Sequence, residues 1–159
     1  MLQLMRRRLQ GGREAGFTLI ELMVVVLIIA ILIAIAIPTF LGARSRAQDR
    51  AAQSNLRNAM TAEKTFYTDT QKYTSDLTSA GLAGIEPNLT YAADGAPAIV
   101  GTVYVHKATT TNTDDTTILG AKSGSGTCFY IKDVAGSGTT FGKNTTCLAP
   151  SGTTVSGGW

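Results

Sequence analysis

Residues 16–21, Gly16-Phe17-Thr18-Leu19-Ile20-Glu21, lead straight into Leu22 to Pro38, which reads LMVVVLIIAILIAIAIP without one polar side chain. With Thr39-Phe40-Leu41 the weakly polar stretch runs from 17 to 41, 25 residues in all. As a helix that is about 37 Å, enough to cross a bilayer whose hydrocarbon core is about 30 Å thick. Arg6, Arg7, Arg8 and Arg13 stand on its N-terminal side. Basic residues collect on the cytoplasmic flank of a membrane helix, so this leader is expected inside and the bulk of the chain outside. An ordinary secretory signal carries a small-residue cleavage site after its apolar region. None follows here, so the apolar helix is expected to stay with the mature protein.

The formal net charge of the 159 residues is +3, and residues 1–16 account for all of it, with four arginines against Glu14. The remainder has ten basic and ten acidic side chains. From residue 69 onward five lysines face seven acids, a balance of −2, which argues against a phosphate-binding surface and against direct nucleic-acid binding. Only Cys128 and Cys147 can form a disulfide, and in an exported domain one bridge is the simplest reading.

Beyond Leu41 the pattern turns amphipathic. Ala52, Leu56, Ala59, Ala62 and Phe66 recur every three or four residues, while Arg46, Asp49, Arg50, Arg57 and Lys64 take other faces. One helix is therefore expected over 17–68, with Pro38 and Gly42 producing a bend or a locally melted turn. A loop over 69–88 should follow, then short strands at 89–92, 100–107, 116–121, 127–134 and 139–142, separated by Gly, Asp, Asn and Ser clusters. The expected fold class is α+β: a long N-terminal helix, membrane-embedded in its first half, packed on a small antiparallel sheet. The expected organisation is a removable leader over 1–16, the helix over 17–68 with its membrane segment at 17–41, and an exported β-rich domain over 69–159.

Gly16, Phe17 and Glu21, after a basic leader and before an apolar helix containing Pro38, make the chain resemble the type IV pilins and their pseudopilin relatives. The resemblance is strong over residues 1–68. It implies cleavage after Gly16 by prepilin peptidase, methylation of the new N-terminus at Phe17, and an assembly role for Glu21, fifth residue of the mature chain. It also implies a helix bend at Pro38. The implied partners are other copies of the chain, the processing and methylating peptidase, the inner-membrane assembly platform with its ATPase, and membrane lipid before assembly. The implied product is a surface filament for adhesion, twitching motility or DNA uptake. A secretion-system pseudopilin, a minor competence pilin and a monomeric anchored surface protein are the alternatives. In pilins the C-terminal cysteine loop is often exposed and used in contacts; a staple for a small strand-rich domain is the simpler role for Cys128 and Cys147.

The motif also has a physical reading of its own. A carboxylate on a membrane helix costs on the order of 3 kcal/mol at the helix centre, less near an end, and such groups usually have a partner. Cleavage after Gly16 creates one, the α-amine of Phe17, which a methyl group would leave charged. In a staggered bundle the amine of an incoming subunit can meet Glu21 of a neighbour in a low-dielectric setting. The plainer alternative pairs Glu21 with its own N-terminus or with lipid headgroups. Dragging the four leader arginines across hydrocarbon would cost roughly 12 kcal/mol on the same scale, so the uncut chain should be held in the membrane. Gly42 with Ala34, Ala36 and Ala43 would allow close helix approach, although alanine is common in any membrane helix.

Enzymatic signals are weak, and no cofactor is expected. His106 is the only histidine and has no second imidazole to form a metal site or triad. Gly124-Ser125-Gly126 lacks the following Lys-Ser/Thr of a phosphate loop and reads as a flexible turn. Asp114 and Asp115 could hint at calcium but are more simply a solvated turn. Asn88-Leu89-Thr90 and Asn144-Thr145-Thr146 match the N-glycosylation pattern.

Overall fold

A computed structural model describes residues 16–108, 115–152 and 155–159. Contacts divide the chain into two compact units, one ending at Leu41 and one running from Gly42 to Trp159. Helix α1, Leu19–Thr70, supplies the first unit and opens the second. It is helical through Pro38 and Gly42, so no turn is melted there. In the first unit every residue from 17 to 41 is exposed, and an 18-residue window reaches a mean hydropathy of 3.3. From Leu22 to Pro38 the helix is apolar on all sides, and it buries none of that window in its own chain, as a helix meant for lipid or for other helices would.

In the second unit α1 is amphipathic. Ala52, Leu56, Ala59, Met60, Ala62 and Glu63 are buried, and the spacing 52, 56, 59, 63 is one helical face. Gln71, with φ of +58°, ends the helix in the left-handed conformation, and its N–H reaches the carbonyl of Tyr67. The following segment is an ordered loop. Thr74 Oγ1 accepts from the N–H of Asp76, Asp76 Oδ1 from Thr78 and Thr78 Oγ1 from Ala80, three successive side-chain turns. Leu82, fully buried, pins the short helix α2, Leu82–Ile85, into the core.

Five strands follow: β1 Thr90–Ala93, β2 Thr102–Ala108, β3 Thr116–Lys122, β4 Cys128–Val134 and β5 Gly138–Asn144. They lie side by side in chain order. Pairs β2–β3, β3–β4 and β4–β5 are antiparallel as expected, whereas β1 pairs parallel to β2, with Thr90 beside Thr102, so the sheet is mixed. The chain doubles back through residues 94–101, turning at Gly101, whose φ is +87°. The hydroxyl of Tyr104 holds this connection against the sheet by accepting from the N–H groups of Ala98 and Ile99, at 3.3 and 3.4 Å.

Alternation along the strands gives the sheet two different faces. Val103, Val105, Leu119, Ala121, Phe129 and Ile131 pack with the buried face of α1. On the other face, register aligns Tyr104, Gly120, Tyr130 and Gly142 across four strands. A Cβ at Gly120 would sit 3.0 Å from the Tyr130 ring, so glycine is what lets that ring lie flat and fully buried. The C-terminal residues 155–159 run along β5, with the N–H of Gly158 on the carbonyl of Phe141 and the Trp159 indole on that of Gly142. This segment shields a strand edge that would otherwise be open to pairing.

Two carboxylates lie in this core. Asp133 accepts from Tyr73 and Thr139 and is 3.0 Å from the ammonium of Lys64. Burial alone would raise its carboxyl, but those hydroxyls and the cation outweigh it and hold it below the usual 3.8. Glu63 is wholly buried, accepting from Thr117 Oγ1 at 3.1 Å and the N–H of Thr74 at 3.2 Å. Its pKa is pushed up to about 7 by burial, against the pull of those two hydrogen bonds and of Lys107. Tyr91, beside the same charge, is pushed up to about 12 by burial and by Glu86 and Glu63.

A carboxyl whose folded pKa is raised contributes stability that is fully present below its unfolded value and is lost as pH rises through the folded one. For Glu63 that window lies between 4.5 and about 7 and spans about 3 kcal/mol. Asp133 has the opposite sign, and its contribution is lost as pH falls below its ordinary 3.8. Denaturant unfolding of the purified protein is therefore expected to show greatest stability between the two unfolded values, at about pH 4 to 4.5, and a decline that levels off above about pH 7. Glu63→Gln should flatten the decline; an unchanged pH profile in that variant would mean that Glu63 is not its source.

Candidate functional site

The first turn of α1 gathers the residues singled out in the sequence. Gly16 and Phe17 precede the helix and are exposed, Phe17 at 89%. Thr18 is the N-cap. Its backbone N–H and its hydroxyl both donate to one Glu21 carboxylate oxygen, at 2.8 and 2.6 Å, and the N–H of Glu21 donates back to Thr18 Oγ1 at 3.2 Å. This is a capping box, in which the side chains at the first and fourth positions satisfy each other's free N–H groups. The negative carboxylate also lies at the positive end of the helix dipole. Sequence reading passed over Thr18, although Thr-x-x-Glu before an apolar run carries that signal. Glu21 thus has a partner within its own turn. The leader arginines lie outside the described residues.

Pro38 removes one N–H from the helix interior, and one residue later Thr39 Oγ1 donates to the carbonyl of Ile35 at 3.0 Å. A missing N–H followed by a hydroxyl bonding back one turn is a local weakening that commonly precedes bending. Gly42 lies one turn beyond Pro38.

Cys128 and Cys147 are bonded, with Cα atoms 5.4 Å apart. The ring they close contains β4, the turn at 135–137 and β5, so it is a hairpin rather than a free loop. Just past the bridge, Tyr130 fastens the chain a second time: its hydroxyl donates to the carbonyl of Leu148 at 2.8 Å and accepts from the Leu148 N–H at 2.9 Å.

The weaker candidates find ordinary places. His106 Nδ1 is 3.2 Å from Asp94, which the return of β1 beside β2 brings close. Asp115 caps the start of β3 and accepts through its carbonyl from Ala135, while Asp114 lies outside the described residues. Among the described residues no group of three or more His, Cys, Asp or Glu is placed to hold a metal. The turn at Gly124–Gly126 is fixed rather than flexible, because Asp49 of α1 accepts from both Ser123 and Ser125. Asn88 is exposed and Asn144 ends β5.

Residues 11–37 match the family described as the prokaryotic N-terminal methylation motif, which spans the capped turn and most of the apolar run. The chain belongs to the type IV pilin and pseudopilin family. Among its pilin relatives is the type IV major pilin protein PilA of Myxococcus xanthus (strain DK1622), 39% identical over 71 residues, 45% of this chain and 32% of the relative. The type IV wide pilus major component PilA4 of Thermus thermophilus is 42% identical over 86 residues, 52% of this chain and 66% of the relative. A pseudopilin-side relative, the type II secretion system core protein G of Pectobacterium carotovorum subsp. carotovorum, is 32% identical over 75 residues, 47% of each chain. The chain therefore spans between about a third and two thirds of the length of these relatives.

The described pilin domain makes the contribution of its bridge measurable. Replacing both cysteines by serine should lower stability by about 3 kcal/mol, the loop-closure estimate for a ring of this size. Thermal unfolding with and without reductant checks it. An unchanged midpoint would leave the Tyr130–Leu148 pair as the fastening that matters.

Proposed function

We propose that this chain is a structural subunit that is cut after Gly16, methylated at Phe17, and polymerised through α1 into a type IV pilus. The observation that carries the reading is the contrast along one helix: residues 22–38 expose an apolar surface without one polar side chain, while Ala52, Leu56, Ala59 and Met60 bury theirs in a folded domain of the same chain. A polar-free surface of that length needs lipid before assembly and neighbouring helices afterward. The subunit is then a single-pass protein of the cytoplasmic membrane with residues 42–159 outside, and later part of an extracellular fibre. Residues 1–16 are its removed leader. Its partners on this reading are other copies, prepilin peptidase, and an inner-membrane platform with its ATPase. Pro38, Thr39 and Gly42 supply the place where the helix bends during packing. The role is structural rather than enzymatic, and adhesion, twitching motility or DNA uptake would be uses of the finished fibre.

A secretion pseudopilin is the second reading, favoured by the resemblance to the core protein G above. Imaging of sheared surface material separates the two, since long fibres containing a chain that begins at methylated Phe17 fit a pilus only.

The capping box separates two roles of Glu21. If Glu21 served only its own helix end, Thr18→Ala and Glu21→Ala would impair assembly alike, because each opens the same reciprocal pair. With an incoming subunit's amine as the additional partner, Glu21→Ala should abolish fibres while export and cleavage persist, and Thr18→Ala should still assemble. Fibre yield and N-terminal mass analysis of both variants decide the matter; normal fibres from Glu21→Ala would remove the charge pair from the mechanism.

A further inference from the structure

The segment that follows Leu41 carries a cluster of cations with no use inside the subunit. Arg44, Arg46 and Arg50 are all exposed, and among the described residues none of them has an ion pair or a hydrogen bond. The acid in their midst is engaged elsewhere: Asp49 accepts from Ser123 and Ser125. No other acidic residue occurs between Glu21 and Glu63. The Arg46 side chain lies back toward the start of the unit, with Nη1 3.5 Å from where a Cβ at Gly42 would stand. Long helical side chains do lean toward the N-terminus, and the bare Gly42 leaves room for this one to lie flat. The guanidinium is thereby brought to the level of Gly42, immediately after the last residue of the apolar run.

We propose that Arg44, Arg46 and Arg50, spread around the helix as a collar rather than along one face, bind anionic phospholipid headgroups of the outward-facing leaflet, holding the cleaved subunit at a fixed depth until it is assembled. This rests on the membrane-inserted reading of residues 17–41. At 1.5 Å per residue, Arg44 and Arg50 lie about 3 and 12 Å beyond Gly42 along the helix. The headgroup layer is about 5–7 Å deep on each side of the hydrocarbon, and screening at physiological salt sets in over about 8 Å. Arg44 and the folded-back Arg46 thus fall among the phosphates, which guanidinium groups bind through two parallel hydrogen bonds, and Arg50 falls within reach of their field. Removal of the leader takes away the four arginines on the cytoplasmic side, so these three then dominate the charge flanking the span. The cut subunit is tied to the leaflet through which it must leave, by contacts that are exposed and screened by salt. A second copy offering acids to the same arginines is the competing occupant.

The test uses the full mature chain in bilayer nanodiscs of mixed phosphatidylglycerol and phosphatidylcholine, transferred to mild detergent, with retained lipids counted by native mass spectrometry. Insertion is read separately by flotation with phosphatidylcholine vesicles, so failure to float would sink the anchor reading and this proposal together. Floating protein is expected to retain phosphatidylglycerol over phosphatidylcholine by about tenfold or more, since each basic side chain near an anionic surface contributes about fivefold. Arg44, Arg46 and Arg50 changed together to Gln should lose the preference, and the same three changed to Lys should keep most of it. Lys122, Lys132 and Lys143 changed to Gln should match wild type. A preference that is absent in wild type, or undiminished in the Gln triple variant, overturns the proposal. If that variant also fails to form fibres while its lipid preference stands, the arginines belong to a contact between subunits.

Discussion

The face of α1 that carries Ala52, Leu56, Ala59 and Met60 is the surface on which the second unit closes. A five-stranded sheet with alternating side chains must bury one face, and without that stripe Val103, Leu119, Phe129 and Ile131 would have nothing to bury against. The stripe begins only at Ala52, and this explains the division of labour along the helix. Up to Leu41 the helix is committed to surroundings outside its own chain; from Ala52 it is committed to its own sheet. The ten residues between carry arginines and small side chains and are bound to the domain chiefly through Asp49 and the turn at 123–125.

Much of this was legible in the sequence, because it follows from period. Spacings of three and four residues identified the buried stripe, and apolar alternation bounded by Gly, Asp and Ser placed all five strands to within about two residues of where they lie. What period does not encode is direction. Alternation reads the same for a parallel and an antiparallel neighbour, so the pairing of β1 could not be read from it; it depends on the return path through residues 94–101 and on Tyr104, which anchors that path. The four-residue helix α2 is too short to show a period, and its position depends on Leu82 entering the core.

The site residues divide along the same line. Gly16, Phe17 and Glu21 were found because the motif is contiguous. Thr18 stands between them and is harder to read, because a carboxylate beside a membrane helix points first to a cation, whereas here a hydroxyl and an N–H of its own turn also engage it. Glu63 was also missed. It lies four residues beyond Ala59 on the buried stripe, and a charged residue at such a position is itself a signal that a buried hydrogen-bond partner must exist. Asp49 and Asp133 could not be assigned from sequence, since their partners are 74 and 60 residues away and only the tertiary fold brings them together.

Glu21 and Glu63 show how one helix treats the same functional group in two settings. Glu63 is enclosed by its own domain, where replacing water by two donors does not fully offset desolvation, and its carboxyl is pushed up to about 7. That cost is borne by a domain with a core to spare, and what it yields is a link from α1 both to β3, through Thr117, and to the loop after the helix, through Thr74. Glu21 stands where no core exists. Its hydrogen bonds come from its own turn, and they occupy a single carboxylate oxygen, leaving the other free. A carboxylate that caps its own helix with one oxygen can still offer the second to a cation from outside. Capping and pairing are then compatible, because the oxygen that an arriving cation would take is not the one that closes the cap.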